Sequence, residues 1–234
     1  MATLRMEKGL IEEPCWNCQR KRMPGLFCES CGSIQPISPN ADYFSLLGLN
    51  RILAIDCERL EKTFHNLSRQ LHPDYYQGKS EVEKRISLEN SAFINTAYRT
   101  LRDPVERVEY LLQLEKSPVE KNQKQPPADL FEEIFEIQEI IEELRNSKEA
   151  GLDSKEVLKG KLEEEKKGLE AKRGGLEGCL QTLFDLWDGL VKDGVPSDAK
   201  KDDKKRLLEE MRDILARRSY INTIIRDIGK ELES

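Results

Sequence analysis

Histidine is scarce in this chain, with only His65 and His72 among 234 residues. A nucleophilic side chain needs a base within reach, so the shortage leaves no acid–base constellation and argues against an enzyme. Long apolar runs are missing too: no stretch approaches the roughly 18 to 20 uncharged residues that cross a bilayer, and no membrane partner is expected. Positive charge is not in excess. Lysine and arginine number 38 against 44 acidic residues, a net charge of −6, so no overall field draws the chain to nucleic acid, and any basic site has to be local. Strand-like alternation of apolar and polar residues is absent, which predicts an all-α fold. The first fourteen residues carry Glu7, Glu12 and Glu13 and no apolar centre. They resemble neither a secretory signal nor an acid-poor transit peptide, so the expected compartment is the cytoplasm, with a mitochondrial matrix as the alternative.

What is present organises the chain. Hydrophobic residues make up 38% and charged residues 35%, the balance of long helices with solvated faces. A tail, 1–14, precedes a cysteine-rich stretch, 15–36, closed by the turn-forming Pro36, Ser38, Pro39 and Asn40. Residues 41–116 carry short helical signals. The segment 117–128 holds three prolines and little apolar periodicity and reads as a linker. From 129 to 234 the pattern is helical nearly throughout and predicts an antiparallel bundle.

Four of the six cysteines fall into two pairs, Cys15–Cys18 and Cys28–Cys31. Each pair can place two thiolates on one ion through a tight turn, and four thiolates close a tetrahedral shell with no open position. This spacing predicts a structural zinc ion; iron accepts the same sulfur set. Too few apolar residues lie between Cys15 and Pro36 to fold the module alone, so metal binding would supply its folding energy. Cys57 and Cys179 lie on apolar runs and read as small core residues. Arg20, Lys21 and Arg22, between the pairs, raise a second class, a zinc-ribbon nucleic-acid binder, but the module lacks interleaved aromatics for stacking bases.

In the middle module, Cys57, Leu60, Phe64, Leu67 and Leu71 step by three and four behind Asp56 as N-cap, a clean helical stripe. A second stripe holds Ile86, Phe93, Ile94, Ala97, Tyr98 and Leu101. Between them His72 to Ser80, with Pro73 and Gly78, reads as a helix-free loop. Asp103 before Pro104 caps a further helix with Val105, Val108, Leu111 and Leu112 inward. Pro73 fixes the backbone and holds His72 extended, so His72 and Asp74 project at a set angle, an arrangement suited to recognition rather than catalysis.

The segments Asp42-Tyr43-Phe44-Ser45-Leu46-Leu47-Gly48-Leu49, Gln70-Leu71-His72-Pro73-Asp74 and Ile94-Asn95-Thr96-Ala97-Tyr98-Arg99-Thr100-Leu101 resemble, in order and spacing, the J domain of DnaJ-type co-chaperones. Arg102-Asp103-Pro104 through Glu109-Tyr110-Leu111-Leu112 narrows the resemblance to the HscB family, J-proteins of iron–sulfur cluster assembly, some with an N-terminal tetracysteine module. The resemblance implies a co-chaperone that stimulates the ATPase of a DnaK/HscA-type chaperone and delivers to it the iron–sulfur scaffold protein IscU. It implies chaperone contacts at His72, Pro73 and Asp74, with Arg59, Lys62 and Arg69 on the preceding helix. A J-protein serving another client is the alternative.

After the linker, Leu130, Ile134, Ile137, Ile141 and Leu144 form an ordinary core stripe. Phe131, Phe135 and Glu139 step by four along another line, with Glu132 and Glu136 beside them. The two rings either widen the core or form an apolar patch for a partner. The resemblance favours the patch, since the family's scaffold-binding surface falls on these positions, with Tyr220 as a further aromatic contact. Between 154 and 191 the chain departs from the compact family pattern. Leu162, Leu169, Leu176, Leu183 and Leu190 lie seven apart and predict an extended helix pair, whose seam could be intramolecular or make a homodimer. Gly174 and Gly175 predict a bend there. Phe184 and Trp187 read as core, and Leu208, Met211, Leu215, Ile221, Ile225 and Ile228 as the face of the last helix.

Overall fold

The computed structural model describes residues 14–23, 25–117, 130–146, 152–192 and 198–233. The chain divides into two compact units, Met1–Tyr110 and Leu111–Ser234. Among the described residues the fold is all-α, and the only pairing of extended backbone is one antiparallel bridge between Phe27 and Ile34. Most of the expected tail and linker, 1–13 and 118–128, lies outside the described residues.

The first unit places the cysteine module ahead of α1 (Tyr43–Leu46), α2 (Cys57–Leu71), α3 (Glu81–Arg102) and the first part of α4 (Pro104–Leu114). The caps explain the boundaries. Asp56 accepts the Arg59 N–H at 3.1 Å, Ser80 and Glu83 form a reciprocal capping box, and Asp103 Oδ1 accepts from Val105 and Glu106 at 2.8 and 2.9 Å. α2 and α3 pair as an antiparallel hairpin. Leu60 and Leu71 face Ile86, Ile94, Ala97 and Leu101 in the buried layer, and the Phe64 and Tyr98 rings stack at 4.1 Å.

The first unit differs from expectation at two places. Cys57 is exposed, because it is the first residue after the cap, where the helix has not yet turned its stripe inward; its thiol lies 3.8 Å from the Ile55 carbonyl. The interval after His72 is not helix-free, since Pro73–Tyr76 forms one 3-10 turn started by proline at its first position.

Arg107 is an interior cation that apolar patterning does not reveal. It is 4% exposed, and its guanidinium donates to the carbonyls of Leu101 (2.6 Å), Arg102 (3.2 Å) and Leu53. One side chain thereby ties the α3–α4 corner to the loop before α2, satisfying carbonyls that would otherwise be stranded.

In the second unit, α5 (Phe131–Asn146), α6 (Leu152–Lys192) and α7 (Asp198–Glu233) form a bundle. α6 and α7 run antiparallel, as successive cross-links require: Lys159 donates to the Leu232 carbonyl, Arg173 to Asn222, and Arg218 pairs with Glu177 at 2.7 Å. Leu130, Ile134, Ile137 and Leu144 of the α5 segment pack with Leu162, Leu169, Ile221 and Ile228. The leucine seam is thus partnered within the chain at Leu162 and Leu169. Phe184 and Trp187 are buried, as are Leu208, Met211 and Leu215. α6 continues unbroken through Gly174 and Gly175, because packing along α7 outweighs their weak intrinsic propensity. Cys179 is exposed rather than core: it lies on the rim of an open cavity of about 250 Å³ beside Gly175 and Leu176.

Replacing Arg107 with methionine removes the donors and leaves buried carbonyls unpaired. We predict a loss of about 3 kcal/mol, seen as a lower urea midpoint at unchanged m-value, with the fold otherwise native.

Candidate functional site

Three groups of side chains stand out by geometry. The first is the corner between α2 and α3. Leu71, the last residue of α2, is fully buried, so its carbonyl cannot turn to water. Two hydroxyls from α3 answer it, Ser87 Oγ at 2.7 Å and Ser91 Oγ at 2.8 Å, while the Tyr76 hydroxyl donates to the Gln70 carbonyl at 3.1 Å. Burial, and then the Glu83 charge, push the Tyr76 phenol up, keeping that donor protonated. On this braced corner His72 and Asp74 are exposed, their side chains 51% and 72% accessible. The Asp74 N–H donates to His72 Nδ1 at 3.3 Å, which orients the ring. Tyr75, 69% exposed, was not foreseen as part of this corner.

Arg59, Lys62 and Arg69 are exposed on α2. They share one line through Asn66, in steps of three, four and three. Arg69 donates to Asn66 Oδ1 at 2.7 Å and to the His65 carbonyl at 3.3 Å; Lys62 lies 3.7 Å from Glu58. His65 is a surface residue beside Glu61.

The second group is Cys15, Cys18, Cys28 and Cys31, whose sulfurs all lie within 4.8 Å of one another. Two matching turns bring them there. The Gln19 N–H donates to the Cys15 carbonyl (2.9 Å) and the Gly32 N–H to the Cys28 carbonyl (2.7 Å); each turn then crosses the left-handed region, at φ 57° for Gln19 and 72° for Gly32. The Sγ separations are 3.7 Å for Cys15–Cys31 and 3.8 Å for Cys18–Cys28. A tetrahedron with metal–sulfur bonds of about 2.3 Å has an edge of about 3.8 Å, so the sulfurs fit one such ion.

Electrostatics point the same way. The Ser33 hydroxyl and N–H hold Cys31 down to about 6. Cys18, although the Arg20 N–H favours its thiolate, is pushed up to about 11 by desolvation and the neighbouring thiols. Four thiolates therefore require a cation among them. Gln35, buried, donates to Cys15 Sγ at 3.3 Å, and Asn17 Nδ2 to Ser33 Oγ at 2.7 Å, the outer bonds that orient such ligands. Trp16 donates its indole N–H to the Ile34 carbonyl at 2.6 Å.

The third group lies on α5. Phe131 and Phe135 are 59% and 55% exposed, so they form an apolar surface and not a wider core. Glu132, Glu136 and Glu139 are exposed with them. Tyr220 of α7 is half-buried, packed against the bundle core. Two unforeseen carboxylates extend the acidic character: Glu133 pairs with Lys172, and burial pushes the Glu165 carboxyl up, the Glu133 and Glu136 charges adding to it.

The geometry defines a class first: a helical hairpin presenting His-Pro-Asp, within a match to the DnaJ domain over residues 42–110. The chain is similar to the crystal structure of human co-chaperone protein HscB, with a TM-score of 0.62 at 28% identity over 93% of this chain and 97% of that one. It is 36% identical over 152 residues to the mouse iron-sulfur cluster co-chaperone protein HscB, covering 63% of this chain and 64% of that one. Against the HscB homologue of Chromobacterium violaceum it is 36% identical over 142 residues, 60% of this chain and 77% of that one. The chain belongs to the HscB family of co-chaperones. It spans just under two thirds of the mouse and human relatives and 52% of the Arabidopsis one.

Gly32 occupies a backbone conformation that costs an L-residue about 1 kcal/mol or more, a strain that any other residue would bring to the turn carrying Cys28 and Cys31. Gly32→Ala should weaken zinc about fivefold or more in a chelator competition. Because protons compete for the thiolates, affinity in the same titration should fall as pH is lowered.

Proposed function

We propose that this protein stimulates ATP hydrolysis by a DnaK/HscA-type chaperone and presents to it an IscU-type iron–sulfur scaffold. The observation that carries the reading is the corner at His72 and Asp74: two exposed polar side chains held rigidly from beneath by Ser87, Ser91 and Tyr76, beside a cationic face on α2. A docking element needs that rigidity, since ordering it at the moment of binding would cost affinity. Arg59, Lys62 and Arg69 steer an acidic patch on the chaperone toward it.

Phe131 and Phe135, with Glu132, Glu136 and Glu139 beside them, receive the scaffold, and Tyr220 of α7 is a further contact for it. Exposed rings of this size are retained where a partner buries them. Zinc held by Cys15, Cys18, Cys28 and Cys31 has no open position, so its contribution is structural. The protein hydrolyses nothing itself. It couples two partners, raising the effective concentration of client at the chaperone while the corner promotes the ATP step.

Single-turnover ATP hydrolysis by the cognate chaperone, with and without this protein and the scaffold, tests the reading. His72→Gln should lower stimulation at least about tenfold, a loss of about 1.4 kcal/mol in the coupled barrier, with scaffold binding and melting unchanged. Unchanged stimulation removes the co-chaperone reading.

The double change Phe131→Ala and Phe135→Ala is predicted to weaken the scaffold by about 2 kcal/mol in calorimetry. The rings are exposed, so stability should move by less than about 0.5 kcal/mol. A large drop in melting temperature would assign them to the core instead. If pull-down recovers the chaperone but no scaffold, the client is another protein.

A further inference from the structure

One turn of α3 holds two different parts of the first unit. Ser87 and Ser91 fix the Leu71 carbonyl, the residue before His72. Asn90, on the same turn and 1% exposed, faces the cysteine module: its Nδ2 donates to the Gln35 carbonyl at 2.8 Å and its Oδ1 accepts the Ile37 N–H at 2.9 Å. Gln35 in turn donates its side-chain amide to Cys15 Sγ. At about 100° per residue, positions 87, 90 and 91 fall within an arc of about 100°, so the three polar groups move together.

We infer that Ser87, Asn90 and Ser91 are positioning residues through which the metal-loaded cysteine module braces the His72 corner. Only its consequence for the chaperone rests on the co-chaperone reading.

The corner needs an external hold. The α2 helix ends weakly on its own account, since the His72 N–H reaches the Arg69 carbonyl at 3.5 Å. The direction in which His72 leaves the helix is therefore set largely by the two serines. Those serines keep their places only while the turn keeps its rotation, and Asn90, on the same arc, pins that turn to the backbone of Gln35 and Ile37. With the ion absent the module has little apolar core of its own, and opening it strips Gln35, and with it the adjoining Ile37, from the Asn90 amide. A buried amide without partners draws the turn toward water. The serine hydroxyls then lose their aim at Leu71. The coupling is reciprocal, so a docked corner also favours the loaded module.

The test is hydrogen exchange on the full zinc-loaded chain, reading amides 70–77 against core amides around Leu101, with Trp16 fluorescence reporting the module. Asn90→Ala, and separately removal of zinc by a chelator, should raise exchange at 70–77 about fivefold to tenfold, with the Leu101 region unchanged. Ser91→Ala should do the same while zinc stays bound, and Ser91→Thr, which keeps the hydroxyl, should restore the native rate.

Unchanged exchange at 70–77 after chelation has opened the module overturns the inference. So does an equal rise at 70–77 and around Leu101, which would mean a loss of global stability only, and so does failure of Ser91→Thr to restore what Ser91→Ala loses. If the exchange behaves as stated while His72→Gln leaves the chaperone's ATPase untouched, the brace stands and the co-chaperone reading falls.

Discussion

A buried carbonyl has to find a donor, and the one at Leu71 sets the arrangement of the first unit. Because α2 ends against α3 rather than in water, its last carbonyl is answered by Ser87 and Ser91, and α3 must carry polar groups on a face that is otherwise apolar. Each such group needs its own partners. Ser87 and Ser91 spend their protons on Leu71, and Asn90 between them bonds the backbone of Gln35 at the end of the cysteine module and of Ile37 just beyond it. The module is thus docked by hydrogen bonds that the α2–α3 corner brings with it. Arg107 meets the same requirement at the opposite end of α3, where three carbonyls converge on one guanidinium.

Much of this was legible from residues alone, because the signals were local. CxxC spacing, Asp56 and Asp103 as caps, and the step of α5's two stripes each depend on a few neighbours in sequence. What escaped depends on partners far along the chain. Cys57 sits on the apolar line but at a helix start, where the line has not yet reached the core. Cys179 has the right periodicity, yet it borders the gap left at Gly175. Arg107 reads as a surface cation until the loop at Leu53, 54 residues earlier, closes over it. Asn90 did leave a trace, since it stands four residues after Ile86 and four before Ile94, a polar residue at a core position of the stripe.

The extended α6–α7 pair makes a related point about competing forces. The glycines of α6 argue against a continuous helix, and heptad leucines argue for one. The leucines prevail because Leu162 and Leu169 bury fully against Ile221 and Ile228, while nothing lies within 4 Å of where a Cβ on Gly160, Gly168, Gly174 or Gly178 would stand. Those glycines are not required for close approach, and their cost is carried by the packing on the other face.

Charge separates what the two units can bind. α2 presents Arg59, Lys62 and Arg69 along one exposed line, whereas α5 carries six glutamates against one arginine around two open phenylalanines. At physiological salt the field of such groups reaches only about 8 Å, so the chain's overall acidity does not average the two surfaces into one. An acidic partner is steered to the first and repelled by the second, and a basic one the reverse. On the function proposed above, local charge of opposite sign would keep the places of the two partners distinct, with the apolar rings on α5 and the rigid His72 corner then supplying the close contacts.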